Sequence, residues 1–180
     1  MELRNLIDLV EAKNSRTLEL DRLKYSRSAL SPVLSATALD RHLDLARTYV
    51  ERFNDKEGDP VFNEAGAFLH NIYFGQFKSP STNNRPAGPV ASLIKKHFGD
   101  FGAFKEAMAT EAMKLQGSNW IYLSKSGTIK TIKNHAIRND IILLIDWWEH
   151  AWFTDYGTNK RRYIDNIWRI INWGAVNSRL

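Results

Sequence analysis

The stretch Asp146-Trp147-Trp148-Glu149-His150-Ala151 decides how this chain is interpreted. It follows the apolar run Ile141–Ile145, and it places a carboxylate and an imidazole four residues apart among tryptophans. On a helical turn, positions i and i+4 lie on one face, so Asp146 and His150 are spaced to hold one metal ion together. Two ligands do not make a metal site, and the others have to come from elsewhere in the chain.

The composition limits the kind of site that the chain can build. Its 180 residues, 43% of them hydrophobic, suffice for one domain or for two small lobes that share a core. The sequence has no cysteine, which excludes disulfides, thiolate zinc sites, iron–sulfur clusters and cysteine nucleophiles. Any metal must therefore be held by His, Asp or Glu, which favours Mn, Fe or Zn over copper(I).

Charge and hydropathy indicate neither a membrane nor a nucleic-acid partner. The net charge is +5, but the basic residues are scattered, and we interpret the densest cluster, Lys160-Arg161-Arg162, as a solvated helix end. No apolar stretch approaches the roughly 20 residues that span a bilayer. The first residues lack the apolar core of a signal peptide. We therefore expect a cytoplasmic protein.

The hydrophobic pattern predicts an α+β fold, in which an N-terminal helical hairpin precedes an α/β lobe with a small antiparallel sheet. Ser35 is placed to cap the first hairpin helix, and the turn-rich residues 75–89 separate the hairpin from the lobe. The predicted parts are an N-terminal extension with a helical pattern (1–19), a hairpin domain (20–86) and a C-terminal domain (87–180). The predicted elements after the first helix are helices at about 61–74, 89–97 and 101–115, strands at 120–124, 128–133 and 141–145, and helices at about 148–155 and 160–173.

The histidines supply further ligands for the Asp146–His150 pair. His42 and His70 lie on the apolar faces of the two hairpin helices, and antiparallel packing of these helices turns both side chains inward. Three imidazoles and one carboxylate suit a redox-active Fe or Mn centre, although a closed zinc site stays possible. His97 follows two lysines near a glycine and is expected on the surface.

Several short motifs of this sequence also occur together in one known protein family. The sequence Asp-x-Trp-Glu-His-Ala occupies 146–151, Gly117-Ser118-Asn119-Trp120 is similar to the family's Gly-Ser-Gly-Trp, and Trp168 to Trp173 match its Trp-x-x-x-Asn-Trp ending. Over roughly residues 20–178, the chain resembles the iron/manganese superoxide dismutases. The resemblance implies the helical hairpin followed by a lobe with a three-stranded sheet.

The resemblance also implies the chemistry. His42, His70, Asp146 and His150 would be the ligands of one Fe or Mn ion per chain, and the reaction would convert superoxide to dioxygen and hydrogen peroxide. The resemblance also implies a homodimer, in which Glu149 would contact His150 of the partner subunit.

Three further residues are implied around the metal, namely Tyr49, Trp120 and His135. In the family, a Gln from the second ligand's helix or from the sheet often bonds the metal's solvent ligand. Here the helix position is Gly66 and the sheet position is His135, a pairing similar to some iron-using and metal-promiscuous members, which favours iron. The alternative for His135 is a residue that merely caps a strand.

The chain departs from the family pattern at the site's entrance and at the dimer contact. Tyr49 follows His42 by seven residues instead of eight, and Ala46 stands where the family has a second His. A spacing of seven still places Tyr49 on the ligand's face of a regular helix. Phe153 replaces a Tyr that crosses the interface. These changes are compatible with an alternative, a pseudoenzyme of the same fold that has a structural or assembly role. A metal-dependent hydrolase is a third reading, but it needs a general base, and Glu149 is the one acid adjacent to the implied ligands.

Overall fold

The computed structural model of the protein describes residues 16–180. Its first two long helices form an antiparallel hairpin, α1 (Ala36–Asn54) and α2 (Pro60–Gly75). Helix α1 begins where Ser35 Oγ accepts a hydrogen bond of 3.0 Å from Ala38 N, as the sequence predicts. Helix α2 begins at Pro60, whose fixed φ suits a first helical turn, behind the capping carboxylate of Asp59.

The second lobe combines a three-stranded sheet with short helices, which confirms the predicted α+β fold. The sheet order is β2-β1-β3, and both neighbouring pairs are antiparallel. The remaining elements are α3 (Pro89–Phe98), α4 (Phe101–Lys114), β1 (Asn119–Ser124), β2 (Ile129–Lys133), β3 (Ile141–Asp146), α5 (Glu149–Tyr156), α6 (Lys160–Ile167) and α7 (Trp173–Asn177), with 3₁₀ turns at Arg27–Leu30 and Trp168–Ile170.

The central strand of the sheet, β1, lies in the middle of the core. Every residue of β1 and β3 is buried, whereas β2 exposes part of its length. In this register Trp120 of β1 lies opposite Asp146 of β3 and Ile132 of β2. Helix α2 packs against both α1 and β3, so the hairpin and the sheet share one core.

The predicted single helix over 160–173 is wrong. Helix α6 ends at Ile167, a 3₁₀ turn follows, and Ile171 forms an isolated bridge with Phe77. The side chain of Asn172 then accepts hydrogen bonds from the backbone of Gly174 and Ala175 and so starts α7. A side chain that binds the backbone locally competes with helix continuation, which explains the break.

The described chain before its 3₁₀ turn at Arg27–Leu30 has no regular secondary structure and is held by side chains of the hairpin. Asn54 pairs with the backbone of Leu18, and Asn71 pairs with Asp21 N and Glu19 O, at 2.8–3.0 Å in each case. The helical pattern predicted for the N-terminal extension (1–19) lies mostly on residues 1–15, outside the described residues, and residues 16–19 carry no helix. The division at 19/20 and 86/87 stays a prediction. Within residues 16–180, none of the helices has the length and apolar character needed to cross a membrane.

Strand β3 is an edge strand whose free side is covered by side chains. Leu144 N donates to Gln76 Oε1 over 3.1 Å, and Gln76 Nε2 donates back to Leu144 O. Arg179 Nη1 donates to Ile142 O over 3.0 Å. These groups take the place of a fourth strand, and they satisfy polar backbone atoms that are fully buried.

We expect Gln76→Leu to lower the free energy of unfolding by about 2–5 kcal/mol, because two buried backbone groups of Leu144 lose their partners. Urea denaturation of the metal-free protein measures this change. The matched control is Gln116→Leu at the chain's other glutamine, which is exposed. Equal stabilities of the two variants would contradict the prediction.

Candidate metal centre

Four side chains from different parts of the fold converge on one point. His42 comes from α1, His70 from α2, Asp146 from the end of β3 and His150 from the first turn of α5. One ligand atom of each lies within 4.8 Å of the others. The first three residues are buried, and the side chain of His150 is 22% exposed. The structure thus brings together the four residues predicted as ligands.

The Asp146–His150 pair does not lie on one helical turn, contrary to the sequence interpretation. Asp146 is the last residue of β3, and α5 begins only at Glu149. Asp146 Oδ1 accepts a hydrogen bond of 2.8 Å from Trp148 N, which folds the chain back sharply after the strand. This turn leaves the second oxygen, Oδ2, to face the imidazoles, and it brings the His150 ring beside that oxygen.

The distances among the four groups suit a single ion. Asp146 Oδ2 lies 3.1 Å from His42 Nε2, 3.1 Å from His150 Nε2 and 3.7 Å from His70 Nε2. Atoms that bind one metal at about 2.0–2.2 Å lie about 3–4 Å apart from each other. The carboxylate oxygen therefore has the separations from all three imidazoles that a shared ion requires.

Hydrogen bonding identifies the free nitrogen of His70. Its Nδ1 lies 2.7 Å from Gly66 O, and a carbonyl can only accept, so Nδ1 carries the proton. In the neutral ring the lone pair is then on Nε2, which is buried and has no hydrogen-bond partner among residues 16–180. A buried acceptor without a partner is costly unless something binds it, and a metal ion is the partner that fits this nitrogen.

The charges of the cluster also suit metal binding. Burial lowers the pKa of His42 and of His70, although Asp146 opposes the shift, so both rings are neutral and keep a lone pair for a metal. Burial alone would raise the pKa of Asp146, but the facing rings of His150 and His42 outweigh it and lower the pKa below its usual range. The group therefore offers one anion and, from His42 and His70, two neutral nitrogens, which Fe and Mn accept.

His135 lies beside this cluster, and its predicted neighbour Trp120 determines its tautomer. Trp120 Nε1 donates to His135 Nδ1 over 3.3 Å. Burial lowers the pKa of His135 to about 4, so the ring is neutral and its proton is on Nε2. This N–H is buried without a partner among the described residues, and the ring stacks on Trp148 at 4.6 Å. His135 thus carries a buried hydrogen-bond donor on a ring whose centroid lies 6.0 Å from that of His70.

Tyr49 reaches the same region despite the shortened spacing. Helix α1 is regular, so a separation of seven residues keeps Tyr49 on the face of His42. Its ring lies 5.5 Å from that of His70 and 4.9 Å from that of His135. A Cβ at Gly66 would stand 2.9 Å from Tyr49 Cγ, so the absent side chain makes room for the phenol. Burial raises the pKa of Tyr49 to about 12, which keeps its hydroxyl protonated.

The structure adds residues that the sequence interpretation did not single out. The ring of Phe62 lies 4.5 Å from that of His135 at the outer side of the cluster. Tyr163 donates a hydrogen bond to the backbone of Asp146. A signal for Tyr163 existed in the sequence, because it is the one aromatic residue in the otherwise charged start of α6, at 160–163.

The residues implied at a dimer contact face outward. Glu149 is exposed, and 56% of Phe153 is exposed. Both line a surface cavity of about 520 Å³ that also reaches His150 and Trp148. The basic cluster at 160–162 lies in the first turn of α6, where Arg161 pairs with Glu106 and Asp165. His97 is exposed in the last turn of α3, as expected.

Comparisons with a family model and with individual known proteins all identify the same protein family. The model of the iron/manganese superoxide dismutase C-terminal domain matches residues 86–179. An iron superoxide dismutase of Bacteroides fragilis is 33% identical, over 91% of this chain and 100% of the relative. A Mn/Fe superoxide dismutase of Porphyromonas gingivalis is 32% identical, over 91% of this chain and 99% of the relative. The chain therefore belongs to the iron/manganese superoxide dismutase family.

Proposed function

We propose that this protein is a superoxide dismutase, which converts two superoxide ions and two protons to dioxygen and hydrogen peroxide. One Fe or Mn ion would be held by His42, His70, Asp146 and His150. The observation that carries the proposal is the convergence of these four groups, with the unprotonated Nε2 of His70 left without a partner among residues 16–180. The names of the relatives support the same activity.

Each part of the cluster has a task in this reaction. A metal held there would supply one-electron oxidation and reduction in turn, between its +3 and +2 states. The four residues would hold it with a single negative charge, from the buried Asp146, which would leave the site electropositive toward a superoxide anion. Tyr49 and His135 hold protons at Oη and Nε2 beside the cluster, where the peroxide product needs them.

Iron is our preferred metal, with manganese as the alternative. The support is the pairing of Gly66 on α2 with His135 as the donor from the second lobe, which is similar to the pairing in some iron-using and metal-promiscuous members of the family. Such a donor matters because hydrogen bonds near a metal tune its redox behaviour. The relatives include proteins named for iron and for both metals.

The protein is also proposed to act as a homodimer through the surface around Glu149 and Phe153. The support is an exposed phenylalanine beside a cavity that reaches the candidate ligand His150. Exposed apolar side chains at a functional site are typical of contact surfaces.

We expect the purified wild-type protein to carry about one Fe or Mn per chain and to consume superoxide, and His150→Ala to lose both properties because one of four ligands is gone. Elemental analysis and a superoxide assay on the same samples measure this. His97→Ala is the matched control, since His97 is exposed and far along the chain from the cluster.

Two results would contradict the proposal. Normal metal content in His150→Ala would remove His150 from the site. Wild-type protein with stoichiometric metal but no superoxide consumption would favour the pseudoenzyme alternative.

For Tyr49→Phe we expect full metal content but superoxide consumption lower by about tenfold, because a hydroxyl near the ligands is lost while the ligands stay. Tyr122→Phe serves as the control, since its hydroxyl bonds Asp140 away from the cluster. If the two variants have the same turnover, Tyr49 has no role at the entrance.

The dimer surface is tested by Phe153→Asp, which should shift the protein from dimer to monomer because a buried interface charge without a partner is unfavourable. Light scattering coupled to gel filtration measures the mass. Val61→Asp, at a residue 72% exposed in α2, should leave the dimer intact. A monomeric wild type, or equal behaviour of both variants, would refute this surface.

A further inference from the structure

Two buried tyrosines form a hydrogen-bonded chain that ends on the backbone of Asp146. Tyr163 Oη lies 3.1 Å from Asp146 O, and the hydroxyls of Tyr73 and Tyr163 are 2.9 Å apart. Both side chains are completely buried. Because a carbonyl oxygen only accepts, Tyr163 must donate to Asp146. Tyr73 is then the donor to Tyr163, so the order of the protons is fixed.

The acceptor of this chain lies at the point where β3 turns into α5. The next amide, Trp147 N, donates to Asn119 O in β1 over 3.0 Å. The peptide group after Asp146 is thus held by β1 through its N–H and by Tyr163 through its carbonyl oxygen. The orientation of this peptide determines where the Asp146 carboxylate points and where α5, with His150, begins.

The two hydroxyls bond each other and the Asp146 backbone, while the ring of Tyr73 packs beside that of His42 with the centroids 5.2 Å apart. Burial raises the pKa of Tyr73 and of Tyr163 well above the ordinary value, so both stay neutral hydrogen-bond donors. Removal of the Tyr163 hydroxyl would leave Asp146 O without this partner. Removal of the Tyr73 hydroxyl would leave the bond to Asp146 in place. The chain therefore offers a natural comparison between two equally buried hydroxyls.

We propose that Tyr163 is a positioning residue, whose hydroxyl fixes the Asp146 peptide and thereby the angle at which the Asp146 carboxylate meets the metal. Tyr73 aligns the Tyr163 hydroxyl and has no direct part in the site. This inference rests on the proposed metal site. Partners of metal ligands that lie outside the coordination sphere commonly set ligand orientation and metal affinity.

The test uses cobalt(II), whose visible absorption reports ligand geometry independently of superoxide consumption. Metal-free wild type, Tyr163→Phe and Tyr73→Phe are each titrated with cobalt(II). We expect Tyr163→Phe to bind cobalt(II) about 10- to 100-fold more weakly than wild type, with shifted absorption bands, because its carboxylate ligand is misoriented. Tyr73→Phe should keep the wild-type bands and an affinity close to wild type.

Equal spectra and affinities of Tyr163→Phe and wild type would overturn the inference. Equal losses in both variants would also overturn it, since Tyr73→Phe keeps the hydrogen bond from Tyr163 to Asp146 O. If Tyr163→Phe aggregates, the double variant Tyr73→Phe/Tyr163→Phe, which strands no hydroxyl, is compared with Tyr73→Phe instead.

The same titration separates this inference from the proposed function. A wild type that binds cobalt(II) but consumes no superoxide when loaded with Fe or Mn would refute the proposed function alone, and the cobalt comparison would still decide the role of Tyr163. A wild type that binds none of these metals would overturn both.

Discussion

The arrangement of the site depends on one buried anion, the carboxylate of Asp146, which has no exposed surface. A charge in such a place is tolerated only when its surroundings compensate for it. One oxygen accepts from Trp148 N, and the other faces the rings of His42, His70 and His150. Since burial keeps the first two rings neutral, they stabilise the carboxylate only partly, and a cation among the four groups completes the balance. The helical hairpin, the end of β3 and α5 therefore meet at this buried charge, and the hairpin and α5 supply the rings that face it.

The surroundings of the cluster show how a shortened helix spacing is accommodated. Tyr49 is one residue nearer to His42 than in the family pattern, and its ring fills the space that a side chain at position 66 would otherwise take. The second lobe contributes a polar group to the surroundings of the cluster, His135, whose tautomer is set by Trp120 and whose Nε2–H has no partner within residues 16–180. A larger residue at 66 would displace Tyr49, so the glycine and the tyrosine constrain each other.

The sequence was sufficient to predict the α+β fold and the four residues that meet at the cluster, because hydrophobic periodicity and a specific motif report on both. It predicted a continuous helix through Asn172, because periodicity does not register a side chain that starts a new helix. It also placed Asp146 and His150 on one helical turn, where the structure has a strand end followed by a helix start. The contact between Tyr163 and Asp146 joins a hydroxyl to a backbone carbonyl 17 residues away, and no pattern in the chain encodes such a pair. The tautomers of His70 and His135 likewise follow only from the positions of their partners.

The covered edge of β3 has a consequence for the order in which the protein is made. Gln76 is synthesised before the strand that it covers, but Arg179 follows Ile142 by 37 residues. Until the end of the chain docks, the Gln76 amide is the one of these two side chains that covers the free edge of this strand, whose six residues are all buried in the folded protein. An uncovered strand edge is a template for pairing with another chain, so loss of the residues around Arg179 would favour self-association.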